Sequence, residues 1–238
     1  MGKAVESIAE ERGHRIVVTI DNNDEWTSKR DALQECDMAV DFSMPVTAVE
    51  NMTRCLEIGL PVVVGTTGWY DQLEQMVSRC KACDGALFVA SNFSIGMNIM
   101  FELNRRLAQL MNGRTNYEVA ISETHHIHKL DAPSGTAITL AKDIVEELPS
   151  KDGWVLAEAP GKSREAVPAD KVAVTSYREG EVPGIHEVVY DSPVDTIRLS
   201  HSAKSRQGLA LGAVLAAEFL LGKKGYYTMR DLLGSNER

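Results

Sequence analysis

Short apolar runs alternate along this chain with stretches whose apolar positions repeat every three or four residues, and these two periods predict strands and helices in turn. Val5, Ile8 and Ala9 share one face of a helix that stops at Gly13. Residues 15–20 read as a strand ending at Asp21, and residues 38–42 as another. A helix over 45–58 closes at Gly59, a short buried strand covers 61–64, and Gly65-Thr66-Thr67-Gly68 is the turn beyond it. A helix over 70–82 then leads to a strand over 86–90, followed by Ser91-Asn92-Phe93-Ser94-Ile95-Gly96. Strands alternating with helices predict a doubly wound parallel sheet, whose ligands bind at the carboxyl ends of the strands.

Beyond Ile95 the pattern changes. A helical period reaches about residue 110, a strand covers 117–122, a helix 134–148, and 149–171 is loop-rich. Residues 172–178, 186–190 and 195–201 read as antiparallel strands, which predicts an α+β second domain with a mixed sheet. The last helix, 207–221, is apolar almost all round, so it is expected to be deeply buried and to return to the first domain. The expected domains are 1–93 with 205–238, and 94–204.

The densest chemistry lies in fifteen residues, 123–137 (ETHHIHKLDAPSGTA), with three of the chain's six histidines and a lysine. The strand before it and the helix opening at Pro133-Ser134-Gly135-Thr136 place His125, His126, His128 and Lys129 between a strand end and a helix N-terminus. Unsatisfied N–H groups of Gly135 and Thr136 would there hold a carboxylate or phosphate, with imidazole and ammonium groups beside it. A metal-dependent hydrolase using His125, His126 and His128 is the weaker alternative. Neighbouring strand residues point to opposite faces, so only His126 and His128 share one. Pro133 to Thr136 alone could be a plain helix cap. His14, His186 and His201 read as surface or satisfied histidines.

Composition narrows the classes. A formal net charge of −9 over 238 residues argues against a nucleic-acid surface. No apolar run approaches the roughly 18 residues that span a bilayer, and no signal region is visible, so a cytoplasmic location is expected. Cys36, Cys55, Cys80 and Cys83 suggest no disulfide framework, and one C-x-x-C without a partner pair makes no metal site. With no cysteine after Cys83, a semialdehyde dehydrogenase lacks its nucleophile.

Four motifs in order carry a resemblance across nearly the whole chain: Val64-Gly65-Thr66-Thr67-Gly68, Ser91-Asn92-Phe93-Ser94-Ile95-Gly96, the 125–137 run, and His201-Ser202-Ala203-Lys204-Ser205-Arg206. Together they resemble the 4-hydroxy-tetrahydrodipicolinate (dihydrodipicolinate) reductases of lysine, or diaminopimelate, biosynthesis. The resemblance implies a Rossmann-like domain plus an α+β substrate and tetramerisation domain. It implies NADH- or NADPH-dependent reduction of a cyclic dicarboxylate, with no metal, by a homotetramer. His125 and Lys129 would handle protons, and His126, Ser134, Gly135 and Thr136 would bind substrate. Phe42, Gly65, Thr66, Thr67, Ala90, Ser91, Asn92 and Phe93 would line the cofactor site. Asp21 would take a ribose hydroxyl, and since Asn22 and Asn23 follow it with no arginine for a 2′-phosphate, NADH is favoured. Family members open with a strand and a G-x-G-x-M-G type loop, of which Met1-Gly2 would be the end. A start placed about a dozen residues too late is the reading adopted. A shortened, non-catalytic nucleotide-binding protein is the alternative, and the chain as written is expected to bind NADH more weakly than one extended upstream.

Overall fold

The computed structural model describes residues 1–158 and 167–235. In chain order the elements are α1 (Gly2–Glu11), α2 (Asn23–Ser28), α3 (Arg30–Gln34), β1 (Ala39–Asp41), α4 (Pro45–Glu57), β2 (Val62–Val64), a 3-10 turn (Tyr70–Gln72), α5 (Leu73–Ala82), β3 (Ala86–Val89) and α6 (Ile95–Met111). There follow β4 (Glu118–His125), α7 (Gly135–Glu147), β5 (Gly153–Ala157), β6 (Lys171–Arg178), β7 (Ile185–Asp191), β8 (Thr196–Ser202), α8 (Gln207–Leu220), β9 (Gly225–Tyr227) and α9 (Met229–Leu233). The chain divides into two compact units, Met1–Ile95 with Gln207–Arg238, and Gly96–Arg206.

The first unit is a parallel sheet of order β1-β2-β3-β9. Every residue of β2 and β3 is buried, because helices cover both faces. Alternation divides them: Val63, Ala86 and Phe88 pack with α1 and α8, while Val62, Val64, Leu87 and Val89 pack with α4 and α5. Helix α8 is inserted among these apolar neighbours, which explains its nearly all-apolar sequence. Gly212 on α8 is required by close approach, since a Cβ there would lie 1.7 Å from the Phe93 carbonyl oxygen.

The second unit is a mixed sheet of order β5-β6-β4-β7-β8. Its core stripe comprises Val119 and Ile121 of β4, Val172 and Val174 of β6, and Val188 and Tyr190 of β7, closed by Met100, Leu140 and Ile144 of α6 and α7.

Three expectations are corrected, and one strand was not foreseen. Residues 15–20 form no strand: they join no ladder, and side chains at 16–18 are only half-buried. An alternating pattern supplies side chains for a strand, but a strand exists only where a neighbour takes its backbone groups. Strand β6 is parallel to β4 and to β5, not antiparallel. The loop-rich stretch contains β5, while its residues 159–166 lie outside the described residues. Gly225-Tyr226-Tyr227 adds an edge strand to the first sheet that is too short to show any period.

Candidate active site

Strand β4 carries the site on the face that also builds the core. Val119, Ile121, Glu123 and His125 alternate inward, and the first three stand opposite Tyr190, Val188 and His186 of β7. The stripe therefore passes from apolar pairs to the ionisable Glu123–His186 pair at the carboxyl end of β4. The Glu123 side chain has no exposure at all.

A carboxylate buried this far must be paired. Glu123 Oε1 accepts from Arg178 Nη2 (3.1 Å) and from the Ser134 backbone N–H (3.2 Å), and Oε2 pairs with His125 Nδ1. Burial pushes this carboxyl up, but the bonds to His125, to the Ser176 hydroxyl and to Arg178 outweigh it and hold Glu123 well below the usual carboxylate range. His186 lies edge-on to His125 with ring centroids 5.0 Å apart, and its Nε2 shares a 3.1 Å hydrogen bond with Ser134 Oγ. Burial first, then the neighbouring His125, lowers the His186 pKa to about 4, so this ring is neutral.

Ser134 is the N-cap of α7, accepting from the Ala137 N–H (3.2 Å). This docks the helix N-terminus on Glu123 and His186, and Gly135 and Thr136 supply the first-turn N–H groups. Lys129 lies in the loop between β4 and α7. Its ammonium meets both oxygens of Asp131 at 2.8 Å, and Lys129 holds the Asp131 carboxyl below its ordinary value. Arg178 also donates to the carbonyls of Lys129 (3.2 Å) and Asp131 (2.5 Å). One guanidinium thus straps the lysine loop to the carboxylate that holds His125.

The His126 ring lies 6.0 Å from that of exposed His128, which pairs with Glu181. The three sequence-adjacent histidines are therefore not gathered at one point. The trio that does converge is Glu123, His125 and His186, with ligand-type atoms within 4.8 Å of one another. The Arg178 charge on Glu123 works against a cation there.

In the first unit, three turns leave the parallel sheet side by side at its carboxyl edge: Phe42-Ser43 after β1, Gly65 to Thr67 after β2, and Ala90 to Phe93 after β3. Asp41 ties two of them together. Its carboxylate accepts from Thr66 Oγ1 (2.6 Å), from Ser43 N and Oγ, and from Asn51 Nδ2 (2.8 Å), while Trp69 Nε1 donates to the Thr66 carbonyl (2.7 Å). Gly65 is needed because a Cβ there would lie 2.1 Å from the Phe42 ring, which itself packs edge-on against Phe93 at 5.7 Å. Adjacent turns with exposed backbone groups fit the amide chemistry of a nicotinamide. Asp21 is exposed just before α2, and Met1 and Gly2 form the exposed start of α1.

Sequence reasoning passed over Glu123, Arg178, His186 and Asp41. Glu123 had a signal, being two residues from His125 on a strand. Arg178 and His186 reach the site only through strand pairing, and His186 is neither a surface histidine nor a fully satisfied one: it is buried, and its Nδ1 has no hydrogen-bond partner among the described residues.

Two family profiles match the chain: "Dihydrodipicolinate reductase, N-terminus" over residues 1–93 and "Dihydrodipicolinate reductase, C-terminus" over residues 96–233. A protein of Christiangramia forsetii named 4-hydroxy-tetrahydrodipicolinate reductase is 47% identical over 98% of this chain and 93% of its own length. One of the same name from Methanopyrus kandleri is 36% identical over 86% of this chain and 74% of its own. Among solved structures, a dipicolinate-bound dihydrodipicolinate reductase from Paenisporosarcina sp. TG-14 superposes with a TM-score of 0.73 at 23% identity, covering 95% of this chain and 92% of that one.

Proposed function

The chain belongs to the dihydrodipicolinate reductase family, and on that premise we propose how its own residues divide the work. The reaction is the NAD(P)H-dependent reduction of 4-hydroxy-tetrahydrodipicolinate to tetrahydrodipicolinate in lysine biosynthesis, in which the 4-hydroxyl leaves as water and the resulting conjugated ring takes one hydride and one proton. NAD(P)H, when bound, supplies the hydride, and Phe42, Gly65 to Thr67 and Ala90 to Phe93 would hold its nicotinamide end. Met1 and Gly2 would contribute to holding its pyrophosphate.

Hydride arriving on an electron-poor ring builds negative charge that a nearby acid must quench. The Lys129 ammonium is that acid. His125 moves the proton exchanged in the loss of water, and the first-turn N–H groups of Gly135 and Thr136, with His126, take a substrate carboxylate, while Ser134 holds the helix end in place. The observation that carries this reading is the docking of the α7 N-terminus on Glu123 and His186, which puts an anion-binding end beside His125. His126→Gln tests it: the substrate KM rises about tenfold with kcat little changed if His126 binds a carboxylate. An unchanged KM removes His126 from the site.

NADH is the preferred reductant, because Asp21 suits two free ribose hydroxyls and repels a 2′-phosphate. A kcat/KM favouring NADPH contradicts this. The assembly is a homotetramer built on the open face of the second sheet, where Ala120, Val155, Ala173 and Val189 stand opposite the helix-covered side. A solution mass of four times 26.1 kDa is expected. No helix among the described residues is long and apolar enough to cross a membrane, and the cytoplasm, where reduced nicotinamide is supplied, is the compartment we assign.

A further inference from the structure

We propose that Glu123 is the positioning residue that sets the tautomer and ring orientation of His125, so that Nδ1–H points to Glu123 and Nε2 is the nitrogen that exchanges protons. This rests on the proton-handling role given to His125 above and deepens it. The two carboxylate oxygens are divided between two jobs. Oε1 is held by Arg178 Nη2 at 3.1 Å and the Ser134 N–H at 3.2 Å, both on the scaffold. Oε2 is the oxygen that meets His125 Nδ1, and the Ser176 hydroxyl, opposite Glu123 on β6, also bonds to this carboxylate. A carboxylate pinned at one oxygen cannot rotate, so the direction of the other is fixed, and with it the plane of the imidazole. A residue that served only to anchor Arg178 and α7 would be fully employed through Oε1.

The surroundings favour this contact. Glu123 has no exposure, so water does not compete for Oε2. The neighbouring imidazole, His186, has its Nε2 engaged by Ser134 Oγ. On the far edge of the His125 ring stands Gly184, at φ +154°, where a Cβ would come within 3.0 Å of Nε2 and 3.3 Å of Cδ2. The chain thus omits a side chain beside the nitrogen that the pairing with Glu123 leaves available. An imidazole held at Nδ1 by a buried carboxylate is locked in one tautomer, and loss of such a carboxylate elsewhere costs orders of magnitude in turnover.

The test is the ring ¹⁵N spectrum of His125 together with kinetics of Glu123→Gln and His125→Gln. In the unaltered enzyme the neutral His125 ring is expected as the Nδ1–H tautomer. In Glu123→Gln that tautomer loses its dominance, and kcat falls about 10²-fold with the substrate KM within threefold. An Nε2–H tautomer in the unaltered enzyme overturns the proposal, and this measurement stands even if Glu123→Gln does not fold. So does a Glu123→Gln protein with unchanged tautomer and kcat. Undiminished turnover in His125→Gln fails the underlying role of His125 instead, and is distinguishable because the spectrum of the unaltered enzyme does not depend on it.

Discussion

Both units bury a carboxylate at a strand end, Asp41 as the last residue of β1 and Glu123 near the end of β4, yet the two are satisfied in different ways. Asp41 takes neutral donors: two hydroxyls, a backbone N–H and an amide. Glu123 takes a guanidinium and an imidazole besides a hydroxyl and one backbone N–H. Neutral donors clamp a turn, so Asp41 shapes the carboxyl edge of the first sheet. Titratable and cationic partners link Glu123 to groups that carry protons. The chemistry of the partners, more than depth of burial, separates a structural carboxylate from one wired into a reaction.

The largest effect should come where this wiring meets solvent. Lys129→Ala is expected to lower kcat by about 10²- to 10⁴-fold, with little change in thermal midpoint, because the partner Asp131 is itself well exposed. Retained turnover would remove the acid from the Glu123 side of the comparison.

Next is the pH dependence of stability. His186 has a folded pKa of about 4 against an ordinary 6.5. Between these values the unfolded chain binds a proton that the folded one refuses. Its contribution is therefore complete above pH 6.5 and declines as pH falls towards 4, by an amount on the order of 3 kcal/mol at most. Glu123, also held low, acts only below its ordinary 4.5, losing its contribution as pH falls through its folded pKa. Denaturant melts at pH 7 and 4.5 should show the decline, and His186→Gln should flatten it.

Asp41→Asn probes the neutral network. It exchanges acceptors for donors against Thr66 and Ser43, so a stability loss of roughly 1–3 kcal/mol is expected. Weaker NADH binding should accompany it, with no new ionisation in the pH–rate profile. A shifted profile would mean that Asp41 also takes part in proton traffic. The smallest effect sets a baseline: half-buried Glu218, paired with Arg12 and His14 at the surface. Glu218→Gln should change the melting temperature only slightly, and added salt should abolish the difference.

Much of the second unit's chemistry was legible because it is local. The β4 alternation, the loop at Lys129 and the cap at Ser134 lie within twenty residues, and period and capping rules operate at that range. Arg178 and His186 lie more than fifty residues from Glu123 and His125 and carry no local mark. In the first unit, the failure at residues 15–20 has the same origin: apolar alternation describes a face, whereas a ladder requires a neighbour.

The amino-acid sequence by itself determined the alternation of strands and helices in the first unit, the mixed character of the second, the family, and the run from His125 to Thr136. These depend on side-chain period, turn residues and motif spacing, which act between near neighbours. Only the tertiary structure decided that β6 runs parallel to β4, that Gly225–Tyr227 closes the first sheet, and that Arg178, Glu123 and His186 converge on His125. Hydrogen-bond ladders join residues far apart in the chain, and the free energy of burying a charge depends on every group folded against it.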